Sequence, residues 1–189
     1  MPNLGIRYAQ FQQQFLHQWR SGTTQALLPF TTLLLRLRIP ANALTVAAII
    51  MGIMSAVFFE NHSLFILFIL LHLAFDILDG SLARRQGSTL LGRWLDYCGD
   101  SSLVIILGIR AFFSPVFTEH SALLSMTLLF YLVHHLIFIM GRMRSPIMYG
   151  RSWLVFFFVF KLYLIGIGAV LILSTIGLVL QIFYFAGKK

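Results

Sequence analysis

The chain has 189 residues, of which 59% are hydrophobic and only 11% are charged, and its formal net charge is +8. A soluble domain of this length cannot bury so much apolar surface, so the composition excludes a water-soluble globular protein and predicts an all-α integral membrane protein. The basic residues stand at the ends of apolar runs, which is typical of cytoplasmic loops beside anionic lipid headgroups. We therefore expect membrane lipids as partners and no nucleic acid.

Residues 1–40 are predicted to form an amphipathic interfacial segment. Apolar side chains recur along one stripe of its first helix: Tyr8, Phe11, Phe15, Leu16 and Trp19. Glutamines cover much of the remaining surface, and such a helix lies in the headgroup plane with its aromatic residues towards the lipid. The stretch 27–37 is predicted to form a second interfacial helix that leads to a turn at Pro40.

Residues 41–187 are predicted to form a bundle of six transmembrane helices. The first four spans are expected at 42–59, 63–82, 90–113 and 121–141. The last apolar run, 152–187, would be about 54 Å long as one helix, whereas the hydrocarbon core is about 30 Å thick. Two spans are therefore expected there, with the turn at Gly166 and Gly168.

The distribution of charge favours an even number of spans. With six spans, almost all basic residues fall on the inner side, Glu60 falls outside, and Arg110 lies near an outer helix end. Both termini are therefore predicted to be cytoplasmic. The expected location is the cell (inner) membrane.

Four of the six acidic residues lie around the junction of the second and third predicted spans: Asp76, Asp79, Asp96 and Asp100. The first two are three residues apart and the last two are four apart, so each pair shares one face of its helix. Four facing carboxylates cannot all ionise without a counter-charge, and hard oxygen ligands suit Mg²⁺ or Mn²⁺. The pattern predicts two divalent cations at the cytoplasmic ends of these helices.

Small and basic residues between the two aspartate pairs suit a phosphate-bearing ligand. Gly80 and Ala83 leave room for a ligand against the helix, and Arg84 offers a planar cation for phosphate. Gly92 lies one turn before Asp96. A divalent-cation permease that uses the aspartates as an ion path is the alternative, but its polar residues should extend across the membrane rather than gather at one side.

The stretch DILDGSLARRQGSTLLGRWLDYCGD resembles the signature of the CDP-alcohol phosphotransferases, D-x-x-D-G-x-x-A-R, usually eight residues, then G-x-x-x-D-x-x-x-D. All its residues are present: Asp76, Asp79, Gly80, Ala83, Arg84, Gly92, Asp96 and Asp100. Only seven residues, 85–91, separate the two halves, and because this gap is expected to be a connecting loop, the shortening need not move either pair. The stretch PANALT, 40–45, resembles the start of the family's first span.

The resemblance implies an enzyme of phospholipid biosynthesis that moves a substituted phosphate from a CDP-alcohol, usually CDP-diacylglycerol, to a small alcohol or lipid acceptor and releases CMP. By motif position it implies that Asp76, Asp79 and Asp96 bind the metal ions, and that Asp100 is a further ligand and the catalytic base. The implied CDP site consists of Asn42, Asp76, Asp79, Gly80, Ala83, Arg84 and Gly92.

Several other residues allow two interpretations. Three arginines near the inner face either bind an acceptor phosphate or only anchor the helices: Arg142, Arg144 and Arg151. His72, one turn before Asp76, either supports the metal site or packs the helices, and packing is preferred; His134 and His135 are expected to form interhelical hydrogen bonds. The family's homodimers raise the possibility of a dimer seam along one stripe of small residues, where packing is again preferred: Ala48, Gly52 and Ala56. Cys98 is expected to pack.

Overall fold

The computed structural model describes residues 21–87, 89–141 and 150–186, together with Gln14 and Gln18. These residues are helical almost throughout and include no strand, which confirms the all-α class. The elements in chain order are α1 (Leu28–Arg36), α2 (Ala41–Val57), α3 (His62–Gln86), α4 (Leu90–Phe112), a 3₁₀ helix (Pro115–His120), α5 (Ser121–Gly141), α6 (Gly150–Val159) and α7 (Tyr163–Ala186). The predicted aromatic stripe of residues 8–19 lies outside the described residues.

The apolar helices confirm a membrane protein. Within the described residues, α3 and the stretch Phe117–Ile137 are long and apolar enough to cross a membrane, and a third span results if α1 and α2 are counted as one bent unit. The remaining helices fall close to the predicted positions of the other spans. The count of six spans stays a prediction.

Helices α1 and α2 meet at an angle of 112°. The turn between them has Arg38 in the left-handed region, at φ 56°, directly before Ile39 and Pro40. Apolar side chains of the α1 segment are exposed: Leu28, Phe30, Leu33 and Leu37. Its buried position is occupied instead by a polar residue, Thr31. A helix nearly perpendicular to its neighbour, with apolar groups outward, fits the predicted position in the membrane surface.

The last apolar run is interrupted earlier than expected. Helix α6 ends at Val159 and α7 begins at Tyr163, with Lys161 at φ 58° in the turn. The prediction of a turn at Gly166 and Gly168 is wrong, because both residues lie inside α7. A Cβ atom on Gly166 would lie 2.9 Å from the Cβ of Phe157 in α6, so this glycine permits close packing of the two helices instead of a turn.

The described chain divides into two compact units. The first consists of the residues up to Gly52 and Phe68–Gly99, and the second of Ile53–Leu67 and the residues from Asp100 onward. The first unit contains α1, most of α2, the larger part of α3 and the beginning of α4. It carries most of the predicted site.

The second unit is built on aromatic and helix–helix packing. Helices α5 and α6 both pack against α7. Five rings form one cluster with centroids 5.2–6.3 Å apart: Phe59, Phe65, Phe117, Phe158 and Tyr163. Beside it, an Arg110 Nη2 lies 3.1 Å from a carboxylate oxygen of Glu60. Glu60 and Arg110, which the charge pattern assigns to the outer side, are therefore paired.

Two histidines of α5 differ in their contacts. His134 is buried, and its ring lies against Gly177 of α7, which supports a packing role. His135 donates from Nδ1 to the carbonyl oxygen of Tyr131 at 2.9 Å, within its own helix. Nδ1 of His135 is therefore used within its own helix, and the expected interhelical hydrogen bonds of both histidines stay predictions.

Candidate active site

Two of the predicted ligands, Asp76 and Asp79, lie in the second half of α3. Asp79 is only 4% exposed and Asp76 is partly buried. A buried ionised carboxylate has a large desolvation cost unless a cation or hydrogen-bond donors stabilise it. Carboxylate oxygens on one helix face therefore fit a divalent cation in their chemistry, as the sequence indicates.

The junction between α3 and α4 is shorter than the sequence suggests. Gly87 terminates α3 in the left-handed region, at φ 92°. Thr89 caps α4, because its Oγ1 accepts a hydrogen bond of 2.9 Å from the backbone N–H of Gly92. Of the seven residues between Arg84 and Gly92, only 87–89 connect the helices, and the other four are helical. The expectation that this whole gap is a loop is therefore wrong.

Helix α2 packs against α3 through an apolar cluster and one hydrogen bond. Ala41 and Leu44 of α2 are buried together with Leu82 of α3. One turn further along α2, the carbonyl oxygen of Ala48 accepts a hydrogen bond of 2.8 Å from Nδ1 of His72 in α3. His72 is 2% exposed, so the packing interpretation of this residue is supported.

Helix α2 also approaches α4 closely, at two glycines. A Cβ atom on Gly92 would lie 2.8 Å from Oδ1 of Asn42, and one on Gly99 would lie 3.1 Å from Cγ1 of Ile49. Asn42 and Gly92, both expected in the CDP site, are thus brought together. Position 96 lies on α4 between the two glycines, four residues after the first and three before the second, so it falls on the same helix stripe.

The stripe of small residues on α2 is used within the chain. Ala48 is 3% exposed and Ala56 is 5% exposed, and Gly52 is buried as well. Residues already covered by their own chain offer no free surface to a second copy. Internal packing is therefore the supported interpretation of this stripe.

A glutamine outside the signature links the end of α3 to the start of α2. The Nε2 of Gln86 donates to the carbonyl oxygen of Ile39 at 2.9 Å, and its Oε1 accepts from the backbone N–H of Ala41 at 3.0 Å. One carboxamide therefore satisfies a backbone group on each side of Pro40, including an N–H in the first turn of α2 that has no partner within the helix. This contact fixes the turn that places Asn42.

Two neighbouring arginines bind the N-terminal segment. Arg84 donates from Nε to Oγ1 of Thr24 at 2.9 Å and from Nη2 to Oγ1 of Thr23 at 3.4 Å. Arg85 donates from Nη1 to the hydroxyl oxygens of Thr31 and Thr32 at 2.8 and 2.9 Å. Neither these threonines nor Gln86 is predicted as a site residue, because nothing in their spacing marks contacts between residues that lie 45–61 positions apart in the chain.

Gly80 and Ala83, the other small residues of the signature, differ from each other in what they contact. A Cβ atom on Gly80 would lie 3.5 Å from Nη1 of Arg84, so the guanidinium extends over this glycine. Ala83 is partly buried and packs against the Ala41–Leu44–Leu82 cluster. Cys98 is exposed, so the expectation that it packs is wrong.

Several predicted site residues lie wholly or partly outside the described part of the chain. Asp96 and Asp100 lie in α4, and Arg151 lies in α6, but their side chains are outside the described set. Arg142 and Arg144 lie outside the described residues altogether. Among the side chains that the structure does describe, no three His, Cys, Asp or Glu residues form a metal-binding group. The four-carboxylate site therefore stays a prediction.

A family model matches most of the chain. Residues 38–185, which include every residue of the signature, match the model of the CDP-alcohol phosphatidyltransferases. The chain belongs to the CDP-alcohol phosphatidyltransferase family. A comparison with curated proteins finds no significant match.

Membership in the CDP-alcohol phosphatidyltransferase family confirms the resemblance and makes this protein a membrane enzyme of phospholipid biosynthesis. Its reaction class is transfer of a phosphatidyl-type group from a CDP-alcohol to an alcohol acceptor, in a family that is generally dependent on divalent metal ions. The match begins at Arg38, so the four threonines that bind Arg84 and Arg85 precede it.

Proposed function

We propose that this CDP-alcohol phosphatidyltransferase uses CDP-diacylglycerol as its donor and transfers the phosphatidyl group to a small or lipid-linked alcohol, with release of CMP. The observation that carries the proposal is the complete signature on α3 and α4, with both helices packed against α2 and Asn42 in contact with the position of Gly92. Membership in a transferase family favours this activity over a divalent-cation permease.

The four aspartates are proposed to hold two Mg²⁺ or Mn²⁺ ions: Asp76, Asp79, Asp96 and Asp100. When bound, these ions supply positive charge that holds the donor pyrophosphate and offsets the charge that develops on the departing CMP. Divalent cations would also offset the desolvation cost of the Asp79 carboxylate, which is 4% exposed.

The group transfer is a single displacement. The acceptor oxygen forms a bond to the β-phosphorus of the donor while the bond from that phosphorus to the bridging oxygen breaks, and CMP departs with the electron pair. Asp100 takes the proton of the acceptor hydroxyl as the general base. Asp100 and the acceptor must lie on the opposite side of the β-phosphorus from the departing CMP.

The nucleotide is proposed to lie along α3 and the start of α4. Gly80 leaves room for it, Gly92 lets Asn42 approach the start of α4, and Arg84 contributes positive charge to the pyrophosphate. Near Arg84, the α1 segment exposes apolar side chains, which suits the acyl chains of a lipid donor: Leu28, Phe30, Leu33 and Leu37. We place this site and both termini on the cytoplasmic side of the inner membrane, in accordance with the charge distribution.

Of the two substrates, the acceptor alcohol is the one that family membership leaves unspecified. Arg142, Arg144 and Arg151 are proposed to bind the acceptor phosphate if the acceptor is a phosphorylated alcohol. A panel distinguishes the classes: glycerol 3-phosphate, inositol phosphate, serine, phosphatidylglycerol and an amino-alcohol. The alcohol that supports release of CMP from CDP-diacylglycerol identifies the acceptor.

The decisive experiment measures CMP release by the full chain in lipid vesicles that contain CDP-diacylglycerol, with Mn²⁺ and each alcohol in turn. We expect release with one acceptor class, and loss of release in Asp96→Asn and Asp79→Asn. Glu60→Gln, which neutralises a carboxylate outside the signature, is the matched control and should retain activity. Absence of CMP with every acceptor, together with Mn²⁺ uptake into the vesicles, would overturn the proposal in favour of a permease.

A further inference from the structure

Arg84 is held along one edge of its guanidinium. Nε binds Thr24 and Nη2 binds Thr23, at 2.9 and 3.4 Å, so the edge that carries both nitrogens faces the N-terminal segment. Because the guanidinium is planar and its N–H groups diverge in a fixed fork, two contacts on one edge determine the orientation of the whole group. A long side chain that would otherwise sample many rotamers is thereby restricted.

The restricted orientation directs the third nitrogen towards the signature. Nη1 of Arg84 lies 3.5 Å from the place where a Gly80 Cβ would be. Gly80 is the glycine of the signature at which the proposed nucleotide site has room for a ligand. The threonines therefore determine which nitrogen of Arg84 lies over this part of α3.

The charge of the groups that bind Arg84 determines how much of its positive charge remains available to a ligand. Threonine hydroxyls are neutral, so they orient the guanidinium without cancelling its positive charge. A carboxylate in the same place would form a charge-assisted pair and would compete with an anionic ligand. Hydroxyl partners thus suit an arginine whose charge is needed for a pyrophosphate.

The neighbouring arginine provides a separate attachment for the same segment. Thr31 and Thr32 donate their hydroxyl protons to backbone carbonyls of their own helix, at 2.7–3.2 Å, and their oxygens accept from Arg85. Thr31 is fully buried. Because Arg85 is outside the signature, its pairs attach α1 to α3 without involving the nucleotide site. The two arginine–threonine pairs can therefore be tested separately.

We propose that Thr23 and Thr24 are positioning residues of the donor site, which hold Arg84 with Nη1 over Gly80 so that its charge meets the pyrophosphate of the CDP-linked donor. This inference rests on the proposed function. It makes the N-terminal segment, which precedes the family match, part of donor recognition in this chain.

The test measures binding of CDP, which carries the pyrophosphate, to the full chain in detergent with Mg²⁺ by titration calorimetry, and then the kinetics of CMP release. Removing one hydroxyl in Thr24→Val is expected to raise the Kd for CDP and the KM for the donor roughly tenfold, since a hydrogen bond to a charged group is lost. The kcat at saturating donor should stay unchanged. Thr24→Ser, which restores a hydroxyl, should recover most of the affinity.

Two controls separate orientation of Arg84 from attachment of the segment. Thr32→Val makes the same change at a partner of Arg85 and should leave the Kd for CDP unchanged. In an Arg84→Gln background, Thr24→Val should produce no further loss of CDP affinity, because the residue through which it acts is absent.

Each adverse result has a defined meaning. A Thr24→Val variant with wild-type CDP affinity, an equal loss in Thr32→Val, or an additive loss in the Arg84→Gln background overturns this inference while the proposed function stands. A wild-type chain that neither binds CDP nor releases CMP overturns the proposed function and this inference together. Circular dichroism of each variant confirms that its helices are intact.

Discussion

The substitution Gly92→Ala tests the contact between α2 and α4 directly. Its new Cβ would lie 2.8 Å from Oδ1 of Asn42 and 3.0 Å from Oγ1 of Thr89. Carbon–oxygen contacts in proteins are usually at least about 3.3 Å long. The contact with Asn42 would therefore be too short by about 0.5 Å, and the contact with Thr89 by about 0.3 Å. Relief requires rotation of the Asn42 side chain or disruption of the Thr89 cap.

The expected change in the free energy of unfolding is the balance of two opposing effects. Overpacking typically costs about 1–3 kcal/mol, whereas replacing glycine by alanine inside a helix contributes about 1 kcal/mol in favour of the helix. We expect Gly92→Ala to lower the free energy of unfolding by about 1 kcal/mol in the wild-type background. In an Asn42→Ala background the worse of the two short contacts is absent, and the same substitution should be close to neutral.

The assay is a double-mutant cycle, with the free energy of unfolding measured in mixed micelles titrated with sodium dodecyl sulfate and followed by circular dichroism. Gly168→Ala is the matched control, because no described atom lies within 4 Å of its new Cβ, and it should be neutral or stabilising. An equal cost of Gly92→Ala with and without the Asn42 side chain would refute the steric reasoning.

Three further substitutions test the contacts around the helices. Gln86→Leu removes both hydrogen bonds across the turn between α1 and α2 and should lower the free energy of unfolding by about 1–3 kcal/mol in the same titration; unchanged stability would contradict the proposed role of this contact. His72→Phe keeps a ring in the interior but loses the hydrogen bond to Ala48, so the melting temperature should fall, by an amount that corresponds to about 1 kcal/mol. Arg110→Gln breaks the ion pair with Glu60, and because both side chains are partly exposed the loss should be below about 1 kcal/mol in the same melting experiment; a larger loss would indicate a wider network.

The sequence predicts the helices well because membrane-spanning segments can be recognised from the length and hydrophobicity of their apolar runs. The starts of α3 and α4 fall within a residue of the predicted spans. The turn in the last apolar run is mislocated because a glycine has two physical uses. Gly166 serves close helix packing, whereas the turn uses Lys161 in a left-handed conformation that its side chain does not reveal.

The site is predictable only as far as its motif extends. The signature identifies the residues of α3 and α4, and the proximity of Asn42 to Gly92 agrees with the expected CDP site. The hydrogen bonds of Gln86 and of the arginine–threonine pairs are not predictable, because they depend on how three helices meet in space. Glutamine and threonine occur too commonly in interfacial segments to mark such contacts from composition.

Helix α2 contributes a single polar side chain to the proposed site, yet it is the common neighbour of α3 and α4 in the first unit. Through Leu44 and Ala48 it contacts α3, and through Asn42 and Ile49 it approaches α4. The separation of α3 and α4 within the first unit is therefore set by the side chains of α2. Enlarging a buried small residue of this helix, such as Ala48, should push α3 and α4 apart. Helix α2 is therefore the place to seek variants that lose activity while every catalytic group is retained.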